Sequence, residues 1–207
     1  MTVLLLDARW PSQLPMEAHG RLSGPVTCTG EIPAVVRRHL SGLVPAEGPG
    51  VLVSTDAGDP RVRSRIEAGE PVIEAVSRHD PIHRAVAAMS RSLARGEWEA
   101  GQTHRSLLPY LAEEAREFAA AVHDWERDGE EEPLLRELGD VLLQVLFHAE
   151  IAARRGAFDL GDVADSFLTK LRSRSPYLFD GSTGVVGAEE QERLWQEGKA
   201  RERSEGS

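Results

Sequence analysis

The chain has 207 residues, 41% of them apolar and 28% charged, which predicts one or two folded domains and excludes a disordered or fibrous chain. The 24 basic and 34 acidic residues leave a net charge of −10, so a nucleic-acid polymer is an unfavourable partner. No run of 18 apolar residues occurs, so no membrane-spanning helix is expected.

The first residues, Met1 to Asp7, have no basic stretch and meet a charge at Asp7, which argues against a secretory signal. Cys28 is the single cysteine, so neither an intrachain disulfide nor a Cys-rich zinc site can form. The expected location is the cytoplasm. Residues 1–95 read as a small α/β domain. Strands are expected at Thr2–Leu6, Val51–Thr55 and Pro71–Ile73, with a helix from Asp59-Pro60 to Ala68 that Gly69 breaks. The Gly- and Pro-rich stretch from Gly24 to Gly50 promises only one helix, around Ile32–Leu40.

From Asp80 the pattern is helical to the end. Asp80-Pro81 opens a helix toward Arg95. Thr103 or Ser106 can cap the next, which runs to about Trp125 on the apolar positions Leu107, Leu111, Ala115, Phe118 and Val122. Pro133 opens a third, ended by Gly156, and Asp159 or Asp162 can cap a fourth, ending before Pro176. A polar helix from about Ala188 is expected to fray over Ser204–Ser207. The expected fold is α+β overall: an all-α helical bundle over 96–207, preceded by the small α/β domain over 1–95.

The acid is concentrated. Glu113 to Asp140 holds eleven Asp/Glu and three Arg, a local charge of 3 − 11 = −8. Glu113, Glu114 and Glu117 share an arc of one helix, with Glu114 nearest its apolar stripe and Glu113 most solvent-facing. The helix from Pro133 is apolar on almost every side, which predicts burial. Glu137, Asp140, Gln144 and His148, at offsets 0, 3, 7 and 11, form its one polar stripe. Buried carboxylates cost several kcal/mol each without a partner, and no Arg or Lys lies on that stripe. A divalent cation is the economical counter-charge. Gly139 would let a ligand or a second backbone come close.

Oxygen ligands suit Mg²⁺ or Mn²⁺. The Glu-x-x-His pairs of a di-iron bundle are absent. Asp124-x-Glu126-x-Asp128-Gly129 begins like a calcium loop, but Leu135 stands where a bidentate Glu is required. A carboxylate-held Mg²⁺ commonly shares a phosphate ligand, which asks for nearby cations. Lys170 and Arg174 are four apart, as are Trp195 and Lys199. Of the 24 basic residues only Lys170 and Lys199 are lysine, which marks both positions. Arg201, toward the expected fraying end, reads as a neutral position.

In order, Trp98-x-x-x-Gln102-Thr103-His104, Leu111-x-Glu113-Glu114-x-x-Glu117, Glu137-x-Gly139-Asp140-x-x-x-Gln144-x-x-x-His148, Phe158-x-x-x-Asp162, Lys170-x-x-x-Arg174 and Trp195-x-x-x-Lys199 resemble the MazG nucleoside triphosphate pyrophosphohydrolases. These belong to the all-α NTP pyrophosphatase superfamily. The resemblance covers roughly residues 96–200. It implies hydrolysis of an NTP or dNTP, canonical or not, to the monophosphate and pyrophosphate, in nucleotide-pool house-cleaning. It implies Mg²⁺ on Glu114, Glu117, Glu137 and Asp140, with Glu113 or Glu117 orienting the attacking water. Lys170, Arg174, Trp195 and Lys199 match nucleotide-contacting positions, with Gln144 and His148 as supporting groups.

Two positions depart from the family pattern. Gly96-Glu97 stands for its Cys-Pro, and Arg174-Ser175-Pro176-Tyr177 for its basic-His-Pro-His stretch, which bears on base selectivity. Val51 to Pro60 faintly resembles a strand-loop of tetrapyrrole methylases, but the segment is too short for that enzyme and reads as an extension. The helix from Pro133 needs more cover than one chain offers, which predicts a homodimer. The rival readings are an acidic helical interaction module without catalysis, and a metal-dependent phosphohydrolase that cleaves a different anhydride bond.

Overall fold

The computed structural model describes residues 1–205. The chain forms two compact units, Met1–Ala85 and Val86–Ser207. The division falls ten residues before the expected boundary at 95, inside the helix Pro81–Arg95. The reason is local packing: Val86 and Met89 share an apolar pocket with Leu146 and Ala149, and Arg154 donates to the carbonyls of Ser90 and Leu93.

The first unit is a parallel sheet of β1 (Thr2–Leu5), β2 (Val26–Cys28), β3 (Val51–Ser54) and β4 (Val72–Glu74), in the order β2-β3-β1-β4. Helix α1 (Ala34–Leu43) covers one face and α2 (Pro60–Glu67) contributes to the other. Alternation along the strands divides the core. Leu4, Val51, Val53 and Ile73 pack with Ile32, Val36 and Leu40, whereas Val3, Leu5 and Leu52 pack with Val62. Both faces are buried, as parallel sheets require. Asp59 caps α2 through the backbone N–H of Arg61, with Pro60 as first residue.

The stretch Gly24–Gly50 is more ordered than its composition predicts. It contains β2, which pairs Val26 with Val51. Gly24 has φ +89°, and a side chain there would stand 2.3 Å from the Gly50 nitrogen and 2.4 Å from the Gly48 oxygen. The glycines therefore serve a backbone crossing rather than a loose loop.

Ligands of open α/β sheets sit beyond the carboxyl ends of the strands. Here the chain's own side chains take that edge. Arg78 donates to the carbonyls of Leu6 and Thr55, at the ends of β1 and β3, and to the Glu74 carboxylate. Glu31 accepts from the hydroxyls of Thr29 and Ser54 and from the Thr55 amide. Burial of Glu31 opposes ionisation, but those hydrogen bonds win and bring its pKa down to about 2.

The second unit is helical among its described residues: α3 (Pro81–Arg95, which begins in the first unit), α4 (Glu97–Ala100), α5 (Leu108–Asp128), α6 (Glu131–Arg154), α7 (Leu160–Arg174) and α8 (Ala188–Glu205). Leu107, rather than Thr103 or Ser106, precedes α5. Thr103 and Ser106 instead exchange backbone-to-side-chain bonds within the preceding turn. Glu131 starts α6, so Pro133 lies in its first turn, where its missing N–H costs nothing. Asp159 and Asp162 form a reciprocal cap at the start of α7. Helix α8 runs through Glu205, so no break occurs at Ser204; the expected fraying of Gly206 and Ser207 lies outside the described residues.

Helices α5 and α6 form an antiparallel hairpin turned at Gly129, whose φ is +75°. The expectation that α6 is buried all round does not hold within one chain. Gln144, Leu146, Phe147, Ala149 and Ala152 are buried, but Leu135 is 71% exposed and Leu138 48%, with Leu142, Leu143 and Val145 also exposed. One hairpin partner covers one stripe of a helix, and α6 carries more apolar surface than that stripe. No helix among the described residues is long and apolar enough to cross a membrane.

Candidate metal centre and nucleotide site

The α5–α6 hairpin brings three carboxylates together. One oxygen from each of Glu114, Glu137 and Asp140 lies within 4.8 Å of the others, and all three residues are half-buried. Glu137 and Asp140 are i and i+3 on α6, so they share a face and meet Glu114 of α5. Glu113 and Glu117 are exposed and stand outside this close group. Glu113 lies 3.7 Å from Arg116. Glu117 is three residues after Glu114 and Glu113 is the residue before it, yet of the three only Glu114 joins the close carboxylate group.

The centre is electrostatically uncomfortable by itself. Burial raises the pKa of Glu114, and the carboxylates of Asp140, Glu117, Glu113 and Glu137 raise it further. Oε2 of Glu137 is buried with no hydrogen-bond partner. Both features, and a donor set of oxygens alone, fit a hard divalent cation. A side chain at Gly139 would meet nothing, so no other part of the chain uses the close approach that this glycine allows.

The polar stripe of α6 continues to Gln144 and His148. Gln144 is 4% exposed, and its Oε1 lacks a partner. His148 Nδ1 lies 2.8 Å from His104 Nδ1, with the rings stacked. Burial, and then His104, lower the pKa of His148. Trp98 sets its edge against Tyr110 and Phe147. Gln102 donates to the Trp98 carbonyl and accepts from the Ser106 hydroxyl. The Trp98–His104 motif is thus a clamp that fastens this segment to α5 and α6, a role its spacing did not disclose.

The basic residues form a separate group on α7 and α8. Arg174 lies over the Trp195 ring, 5.0 Å from its centroid, and Lys170 is exposed one turn earlier. Lys199 is half-buried one turn after Trp195. Between them, Gly198 is buried, and a side chain there would stand 2.7 Å from the Ser173 oxygen and 2.8 Å from Arg174 Cα. Glycine lets α8 rest on the α7 backbone. A glycine inside a helix costs about 1 kcal/mol, which is the signal that could have exposed this packing. Arg201 is not neutral, because its Nη2 donates to the Ser173 carbonyl at 2.6 Å. The end of α7 offers unpaired carbonyls, and Arg201 satisfies one of them. Sequence spacing also missed Glu202, which pairs with Arg174.

Residues 1–73 match the MazG N-terminal domain, and residues 102–179 match the MazG nucleotide pyrophosphohydrolase domain. A nucleoside triphosphate pyrophosphohydrolase of Mycolicibacterium smegmatis is 41% identical over 98% of the chain, and one of Mycobacterium tuberculosis is 39% identical over 99%. The chain spans 63% of the length of each. A MazG-related protein of Thermotoga maritima, of known structure, is 31% identical, with a TM-score of 0.48, over 56% of this chain and 97% of that one. The two matched domains, in this order and with this identity along nearly the whole chain, place the protein in the MazG family.

Proposed function

We propose that the protein is a Mg²⁺-dependent nucleoside triphosphate pyrophosphohydrolase, which converts an NTP or dNTP to the monophosphate and pyrophosphate in nucleotide-pool house-cleaning. The observation that carries this reading is the convergence of Glu114, Glu137 and Asp140 across the α5–α6 hairpin, beside an orphaned buried carboxylate oxygen. These three would hold Mg²⁺ or Mn²⁺, with Glu117 as a further ligand. When bound, the metal neutralises triphosphate charge and acidifies a water for attack.

The chain's own residues supply the rest. Glu113 or Glu117, both on the exposed side of α5, would accept the proton from water and orient it for in-line attack at phosphorus. Lys170, Arg174 and Lys199 offer cations to the phosphates, and Trp195 offers an aromatic face to the nucleoside. Gln144 and His148 support the ligand helix. The exposed leucines of α6 favour a homodimer with a shared four-helix core. The first unit serves as a structural extension, since Arg78 and Glu31 take the sheet edge where a ligand would bind.

The test is a panel of NTPs, dNTPs and oxidised analogues with and without Mg²⁺, scored for pyrophosphate. Release of orthophosphate without pyrophosphate would identify a different anhydride bond as the target. No turnover, together with no Mg²⁺ binding by calorimetry, would leave an acidic interaction module.

A further inference from the structure

Glu202 lies on α8, seven residues after Trp195. Both its oxygens engage Arg174: Nε donates to Oε1 at 3.0 Å, and Nη2 donates to Oε2 at 2.5 Å. Two parallel bonds to a planar guanidinium are the arrangement by which arginine holds a carboxylate or a phosphate. The positive charge of Lys170 also acts on the Glu202 carboxylate. Glu202 therefore occupies the fork of one α7 cation that the proposed function assigns to phosphate, within the field of the other. Its placement is built into the packing. Gly198 rests α8 on the backbone of Arg174, and Glu202, one turn further on, is carried to the guanidinium.

We propose that Glu202 is an internal competitor of the substrate phosphate: it fills the Arg174 fork in the free enzyme, sets nucleotide affinity, and yields when a phosphate oxygen takes its place. The inference rests on the reading of Arg174 as a phosphate ligand. A carboxylate that stayed on this fork would block its two-point face and repel the triphosphate. Exchange is open to solvent, since the Arg174 and Glu202 side chains are 19% and 34% exposed. A pair exposed to this degree shifts an equilibrium by about two- to fivefold.

The experiment compares Glu202→Gln, Arg174→Gln and Glu197→Gln with the wild type, with KM and kcat measured separately. Gln keeps the size of Glu202 and one acceptor, so α8 keeps its seat. Glu197 pairs with Arg193 on the exposed face of the same helix and controls for lost charge. The expected result is a KM lowered about two- to fivefold in Glu202→Gln, with kcat retained, a raised KM in Arg174→Gln, and no change in Glu197→Gln. A raised KM in Arg174→Gln with an unchanged or raised KM in Glu202→Gln overturns the competitor and leaves the phosphate reading standing. No change in Arg174→Gln overturns both. A second readout needs only the wild type for its measurement: the Arg174 Nε–H resonance, assigned by its loss in Arg174→Gln, should shift when Mg²⁺ and a non-hydrolysable NTP analogue are added. A resonance unmoved at saturating analogue overturns the displacement.

Discussion

The imidazoles of His104 and His148 stack with 5.1 Å between centroids and 4° between planes, and their Nδ1 atoms stand 2.8 Å apart. Only one of the two Nδ1 atoms can carry hydrogen in that contact, so the accepting ring is neutral. Protonating the acceptor replaces the bond with two facing N–H groups. The other nitrogens, both Nε2 atoms, are buried without a partner. Among the described residues, no side-chain carboxylate is paired with either ring. The nearest acids along the helix are Glu150, bonded to Arg154, and Asp140, two turns back.

The pair makes stability depend on pH. Burial and His104 hold the pKa of His148 below its usual 6.5, so the folded state favours the neutral ring. Its contribution is complete above about pH 6.5 and is lost as pH falls through the depressed folded value. Melting temperature should therefore drop more between about pH 7.5 and about pH 5 in the wild type than in His148→Asn. Equal drops in the two proteins would show that the pair does not carry this dependence.

Asp140→Asn and Glu137→Gln should each lower turnover more than about tenfold, a barrier increase above roughly 1.4 kcal/mol, while melting temperature holds or rises. Each removes a charge from a crowded carboxylate group without changing its volume, which relieves the repulsion felt by Glu114. Retained activity at saturating Mg²⁺ would remove these residues from the ligand set.

Light scattering at micromolar concentration should give about twice the 22.7 kDa chain mass, or more. Leu138, Leu142, Leu143 and Val145 leave an apolar face of α6 uncovered in one chain. Leu142→Glu with Leu143→Glu should shift the mass toward one chain. A wild type that scatters only as one chain would sink the shared bundle.

Lys199→Arg should raise KM or lower kcat although charge is kept, because the half-buried position beside Gly198 accommodates a slender ammonium better than a planar fork. Arg201 cannot serve as the silent control, since it holds the Ser173 carbonyl. Arg193→Lys, on the exposed face, replaces it. If Lys199→Arg and Trp195→Ala both turn over NTP as the wild type does, α8 lies outside the active site.

Gly198→Ala should destabilise the protein by about 1–3 kcal/mol, because the new methyl must push backbone rather than a flexible side chain. Thermal unfolding of the variant measures this directly. A melting temperature equal to that of the wild type would mean that α8 does not rest on α7 in solution.

The helices with strong local signals were legible in the sequence. Asp59-Pro60 and Asp159 cap where they are expected, because capping is decided within one turn. The alignment of Glu137, Asp140, Gln144 and His148 follows from 100° per residue and needs no tertiary contact. The same arithmetic placed Glu114 nearest the core, but only the α5–α6 hairpin set it apart from Glu113 and Glu117 by bringing it against α6. Strand β2 was hidden because its partners are Val51 to Val53, far along the chain, and its flanking glycines look like disorder until the crossing of Gly24 with Gly48 and Gly50 is seen. Glu202 meets Arg174 across 28 residues and His104 meets His148 across 44, separations at which no periodicity carries information. Sequence determined what each helix presents along its own length; packing decided which of those groups meet, because contact between distant segments depends on helix seats that single residues such as Gly198 allow.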